Sequence, residues 1–124
     1  MLKSKIKDRE SSYEELIRDL FKTYDKETQT ILINYTDRTY KVTLKSLESK
    51  INFIDCLFKF SITDEDKSII SLRYGLDSGK PLTFGQLGEK LNMTDEGCRS
   101  KIRRAFRKIK HRLNVIRTIE RLYK

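Results

Sequence analysis

A chain of 124 residues has room for one domain, or a small domain with an appendage, and too little for a large multi-step enzyme. Its 27 lysines and arginines outnumber 18 acidic residues, for a net charge of +9, which favours a polyanionic partner. Cys56 and Cys98 are too few and too far apart for a metal knuckle or a disulfide framework, and no apolar run is long enough for a signal peptide or a membrane span, so a cytoplasmic protein without metal or cofactor is expected.

Residues 1–10 are expected as a loose start. After them Tyr13, Leu16, Ile17, Leu20 and Phe21 recur at helical spacing, with Ser11 and Glu14 or Ser12 and Glu15 as possible capping pairs, and predict a core helix. The next stretch alternates Ile31, Ile33, Tyr35 and then Tyr40, Val42, Leu44 about a tip at Thr36 to Thr39. That pattern predicts a β-hairpin pairing Tyr35 with Tyr40, Ile33 with Val42 and Ile31 with Leu44. Two strands alone are marginal, so the apolar face must pack on a helix or a partner; the obvious cover is a helix with Leu47, Ile51, Ile54, Leu57 and Phe58 on one side. Residues 1–60 therefore read as a helix, hairpin, helix domain, an interaction or packing module.

A third helix is expected after Thr63, an N-cap with Asp66 three residues later, carrying Ile69, Ile70, Leu72 and Tyr74 and ending at Gly75. Acidic Asp64, Glu65 and Asp66 need no metal, because the positive end of a helix favours carboxylates in its first turn. Beyond a corner with Gly75, Gly79 and Pro81, Thr83 and Gln86 form a T-x-x-Q capping box for a short helix with Phe84, Leu87 and Leu91. Gly88 within it is expected to mark close approach of another backbone, that of the following helix. Asn92 tolerates the left-handed conformation of a tight helix end, Met93 can plug the corner, and Thr94 can cap the next helix. Helix, short corner, cationic helix is a helix-turn-helix.

Charge is concentrated in that last helix. Residues 1–98 carry 16 basic and 17 acidic residues, whereas residues 99–124 carry 11 basic residues and only Glu120. Apolar Cys98, Ile102, Ala105, Ile109, Leu113 and Ile116 follow the period of one helical face, with the cations on the other sides. The stripe alone leaves two readings open, a solvated helix whose cationic stems cover a core and a helix that binds DNA; the preceding corner favours the second. His111 has no partnered nucleophile or carboxylate that spacing can place beside it, and reads as a phosphate contact or solvent position rather than a general base; no catalytic residue is expected.

The run "LRYGLDSGKPLTFGQLGEKLNMT" followed by "RRAFRKIKH" resembles region 4 of sigma-70-type bacterial sigma factors, over residues 62–111. The expected fold is mainly α with a small hairpin, and the resemblance implies that its C-terminal segment, residues 61–124 with the long basic helix, is a sigma region 4-type helix-turn-helix. It implies double-stranded DNA as a partner, read by the second helix in the major groove, and bacterial RNA polymerase, held through its β flap, or a sigma component. Arg99 matches an arginine of the family motif; with the cations of the same helix, the residues expected to contact DNA are Thr94, Arg99, Ser100, Arg103, Arg104, Arg107, Lys108 and Lys110, with Arg99 and Arg103, one turn apart near the helix start, among the base-reading contacts and Arg107, Lys108 and Lys110 on phosphate. Asp95, Glu96 and Gly97 stand where the family commonly has Arg-Glu-Arg, and Ser100 replaces a common glutamine. The first 60 residues do not resemble the region of sigma factors that captures the melted strand. A small transcription regulator is implied, of the kind found as phage late-gene activators or in split sigma systems; the contrasting reading is an interaction protein that occupies the polymerase flap or a sigma partner with little specific DNA binding. The segment Asn114 to Tyr123 is expected to pack back on the hairpin domain, residues 1–60, or to form a homodimer seam.

Overall fold

The computed structural model describes residues 2–123, with side chains from Lys7 onward. In chain order they form α1 (Leu2–Leu20), a hairpin of β1 (Thr30–Tyr35) and β2 (Arg38–Thr43), α2 (Leu47–Ser61), α3 (Asp64–Tyr74), α4 (Phe84–Leu91), α5 (Asp95–Ile109) and α6 (Arg112–Tyr123). The chain is thus mainly helical with a small antiparallel hairpin, as its periodicities imply.

The start departs from expectation. Helix α1 begins at Leu2 and absorbs most of the stretch expected to be loose; Met1 lies outside the described residues. Ser12 does not cap a helix but donates its hydroxyl to the Asp8 carbonyl at 3.0 Å, one turn back. Long-range contacts hold this early part in place: Arg9 Nε donates to the Leu76 carbonyl at 2.9 Å, and Glu10 meets the fully buried Lys50 ammonium at 3.3 Å. A buried ammonium without that carboxylate would be costly.

The hairpin keeps its predicted faces but not its predicted register. Ile33 pairs with Tyr40 and Ile31 with Val42, two residues tighter than alternation about a four-residue tip requires. The reason is the turn: Thr36 adopts φ +51°, so Thr36 and Asp37 alone reverse the chain between Tyr35 and Arg38. A shift of two leaves every side chain on its own face, so Ile31 and Val42 are still buried. Leu44, beyond β2, is buried as well.

Helix α2 is the central element, packing against α1, α5 and α6. Its Phe53, Ile54, Leu57 and Phe58 sit in one continuous buried cluster with Leu16 and Ile17 of α1, Ile70 of α3, Leu87 of α4, Ile102 and Ile109 of α5, and Ile119 of α6. That cluster crosses the 60/61 boundary. Each such side chain contributes about 1.5–3 kcal/mol when fully buried.

Helix α6 folds back onto α2 through Val115, Ile116 and Ile119. The apolar stripe of α5 does not run on through it: the chain breaks at Lys110 and His111, and Leu113 is 47% exposed. The break has local causes. Asn114 Nδ2 donates to the Lys108 carbonyl at 2.9 Å, closing the end of α5, and His111 Nδ1 accepts from the Leu113 N–H at 3.3 Å, capping the start of α6.

Candidate nucleic-acid interface

The corner between α3 and α4 fixes the approach to the interface. Gly75 ends α3 in the left-handed region at φ +70°, and a Cβ there would lie 2.5 Å from the Lys80 carbonyl carbon. Arg73 Nη1 donates to the Leu82 carbonyl at 2.6 Å, and the Leu82 N–H bonds the Leu72 carbonyl at 3.3 Å, so α3 is stitched to the approach to α4.

Helix α4 opens with both halves of its capping box: Gln86 N–H donates to Thr83 Oγ1 at 3.1 Å, and Thr83 N–H to Gln86 Oε1 at 2.9 Å. It closes at Asn92, φ +55°, after which Met93 and Thr94 turn the chain into α5. Gly88 does mark a close approach, but of the turn rather than of the following helix, since a Cβ there would sit 2.5 Å from the Met93 carbonyl oxygen. Thr94 caps α5, its hydroxyl accepting from the Gly97 N–H at 3.0 Å.

On α5, Cys98, Ile102, Ala105 and Ile109 are buried and fasten the helix to the core. At 100° per residue, Arg99, Arg103, Arg107 and Lys110 share a broad outward stripe, while Lys101, Arg104 and Lys108 turn toward α3. All of these cations except half-buried Lys101 are exposed. Arg99 is braced: its guanidinium carbon lies 4.2 Å from the centroid of Phe84, whose ring Arg73 also approaches at 4.0 Å. Arg103 reaches Glu96 at 3.8 Å, and Ser100 Oγ lies 3.5 Å from the same carboxylate. Arg104 Nε donates to the Ser100 carbonyl at 3.4 Å.

The other side of α5 is partly occupied. Lys101 Nζ donates to Glu65 Oε1 at 2.9 Å, and that hydrogen bond, with the lysine charge, holds the Glu65 carboxyl below its usual range. Lys101, Arg104, Arg107 and Lys108 line one concavity with Asp66. The expected residues are therefore brought onto one helix but divide between two of its sides, with Thr94 at its start. Sequence reasoning overlooked the partners that hold them: Phe84 under Arg99, and Glu65 on Lys101. Phe84 reads as a core position from its spacing, and nothing local to residue 65 points to residue 101.

His111 is exposed and serves as the cap already described. Among the described residues no group of three or more possible metal ligands is found, and no helix is long and apolar enough to cross a membrane.

Residues 61–111 match the family model of sigma-70 region 4. Over 55 residues the chain is 34% identical to the RNA polymerase sigma factor SigA2 of Synechococcus elongatus, a match covering 44% of this chain and 17% of the relative. It is 35% identical over 51 residues to SigA of a Nostoc species, covering 41% and 13%, and 33% identical over 51 residues to SigA of Clostridium acetobutylicum, covering 41% and 14%. The matched stretch thus spans less than a fifth of each of these relatives. No solved structure matches the chain.

Proposed function

From a chain whose residues 61–111 form a sigma-70 region 4-like helix-turn-helix, we propose a DNA-binding transcription regulator that works with bacterial RNA polymerase in the cytoplasm. The observation that carries this reading is the outward stripe of Arg99, Arg103, Arg107 and Lys110 on the second helix of that motif, all four exposed. A helix with that cationic face fits the major groove, which is about 12 Å wide, and neutralises the phosphates that flank it. Arg99 and Arg103 lie nearest the start of α5, where recognition helices meet base edges, and we assign them base contacts; Arg107, Lys108 and Lys110 hold phosphate. Thr94, Ser100 and Arg104 complete the surface. Residues 61–124 are the DNA-binding segment, and residues 1–60 buttress it through α1 and α2.

The polymerase contact falls on the same helix-turn-helix segment, with the β flap or a sigma component as partner. One observation favours a second reading, an interaction module with little specific DNA binding: Asp95 and Glu96 occupy the exposed first turn of α5, and Glu96 lies within reach of Arg103. Selection from random duplexes by the purified protein, with and without core RNA polymerase, tests both. Enrichment of one sequence by the protein alone, relaxed at one position by Arg99→Ala or Arg103→Ala, supports the regulator. Enrichment by neither sample while the protein still co-sediments with core polymerase replaces it with the interaction module.

A further inference from the structure

The cationic stripe of α5 does not end with the helix. Lys110, its last member, lines a groove that it shares with Lys22, from the turn after α1, and Arg112, at the start of α6; the groove's other wall is β1 at Leu32, Ile33 and Asn34. No carboxylate lines it. Three cations thus converge from two separate parts of the chain, the turn after α1 and the α5–α6 break, and all three are exposed.

The strand wall supplies donors as well. Thr30 exchanges both backbone hydrogen bonds with Asp25, so its N–H and C=O point to the outer edge of β1, away from β2. Alternation along an antiparallel strand then turns Leu32 and Asn34 to that same edge. Thr23 Oγ1 donates to the Leu32 carbonyl at 2.7 Å, so the outward acceptor at that position is already engaged while its N–H faces the groove. Backbone N–H groups beside converging cations are the chemistry of an anion site. Arg112 is positioned for it, its guanidinium carbon 5.5 Å from the Tyr35 ring centroid.

We infer that the groove between the outer edge of β1 and the α5–α6 break binds a phosphate of the DNA backbone beside the segment read by α5, so that the hairpin acts as a second point of attachment. The inference rests on the proposed DNA binding and extends it to residues 22–34 and 112. Lys110 is the junction, about 16 Å along the helix axis from Arg99 at 1.5 Å per residue.

Salt-dependent binding to a duplex of about two helical turns tests it, comparing the full chain with Lys22→Gln, Arg112→Gln and Lys67→Gln. Lys67 lies in a different groove, with Asp64, Ser68 and Lys90, and its substitution removes the same charge elsewhere. The expected result is a slope of log K against log salt less negative by about 0.9 for Lys22→Gln and for Arg112→Gln, and unchanged for Lys67→Gln. Lys22 is an exposed turn residue, so its variant remains informative if Arg112→Gln fails to fold. A Lys22→Gln slope equal to that of the unmodified chain, or matched by Lys67→Gln, overturns the groove while leaving α5 as the DNA-binding helix. Loss of slope for Arg107→Ala alone would have that same meaning. Absence of salt-dependent binding by the unmodified chain would overturn the groove and the DNA-binding proposal together.

Discussion

Gly79 lies against Asp8: with φ at +77°, a Cβ on Gly79 would come within 2.7 Å of the Asp8 Cβ. The glycine-rich corner that leads into the helix-turn-helix is therefore covered by α1, and the Tyr74 hydroxyl at the end of α3, donating to Asp19 at 2.6 Å, ties α3 to α1 farther along. Gly79→Ala would combine a left-handed alanine, costing about 1–2 kcal/mol, with displacement of α1. The expected outcome is a loss of about 2–4 kcal/mol in denaturant unfolding, larger than the backbone cost alone. A loss confined to the backbone cost would mean that α1 yields freely at the corner.

Two glycines of α4 should respond oppositely to the same change. A Cβ on exposed Gly85 would meet only Thr83 Oγ1 at 3.8 Å, whereas one on Gly88 would sit 2.5 Å from the Met93 carbonyl oxygen. Gly85→Ala is expected to raise stability by about 0.5–1 kcal/mol through helix propensity, and Gly88→Ala to lower both stability and DNA affinity by forcing the turn away from α4. Thermal unfolding of the two variants side by side checks the contrast.

High pH should unfold the protein through its tyrosines. Burial, more than the neighbouring Asp55 carboxylate, pushes the Tyr13 hydroxyl up to about 12; burial, followed by its hydrogen bond to Glu14, pushes Tyr24 up to about 12; and burial followed by the Asp19 hydrogen bond raises Tyr74 as well. A folded-state value above the unfolded one near 10 gives stability that is complete below about pH 10 and is lost as pH rises through about 12. Base titration followed by circular dichroism should show a steep loss in that window, beginning at higher pH in Tyr13→Phe. A stability flat to pH 12 would contradict it.

Half-buried Lys101 is tethered to exposed Glu65 instead of facing solvent alone, and that pairing competes with phosphate. Glu65→Gln should release the ammonium, tighten DNA binding and make the salt slope more negative by up to about 0.9. Binding isotherms at matched salt decide this; an unchanged slope would leave Lys101 outside the DNA surface.

Where a boundary depends on local chemistry, the sequence was readable. Thr63, Thr83 and Thr94 cap the helices that follow them, Gly75 and Asn92 end theirs in the left-handed region, and the helix-turn-helix is legible from those marks alone. The failures lie where distant residues decide. Nothing in residues 1–10 signals that Arg9 and Glu10 will find Leu76 and Lys50, so a tied-down helix reads as a loose end. The hairpin register turned on the φ of Thr36, a residue with no special preference for the left-handed region, unlike glycine or asparagine. At the interface, the cations are plain from composition, but which side of α5 each takes, and that Phe84 braces Arg99, depends on how α3 and α4 pack. Lys22 belongs to the same cationic surface as Lys110 only because the turn after α1 and the end of α5 meet over β1.

Docking of the cationic face of α5 on duplex DNA is read from the salt dependence of that binding. Arg99 to Arg112 contain eight lysines and arginines. With about five of them on phosphate, log K should fall against log salt with a slope of roughly −4 to −5, and Arg107→Ala combined with Lys108→Ala should make it less negative by up to about 2. A slope near zero, or one that this double variant leaves unchanged, would contradict the claim.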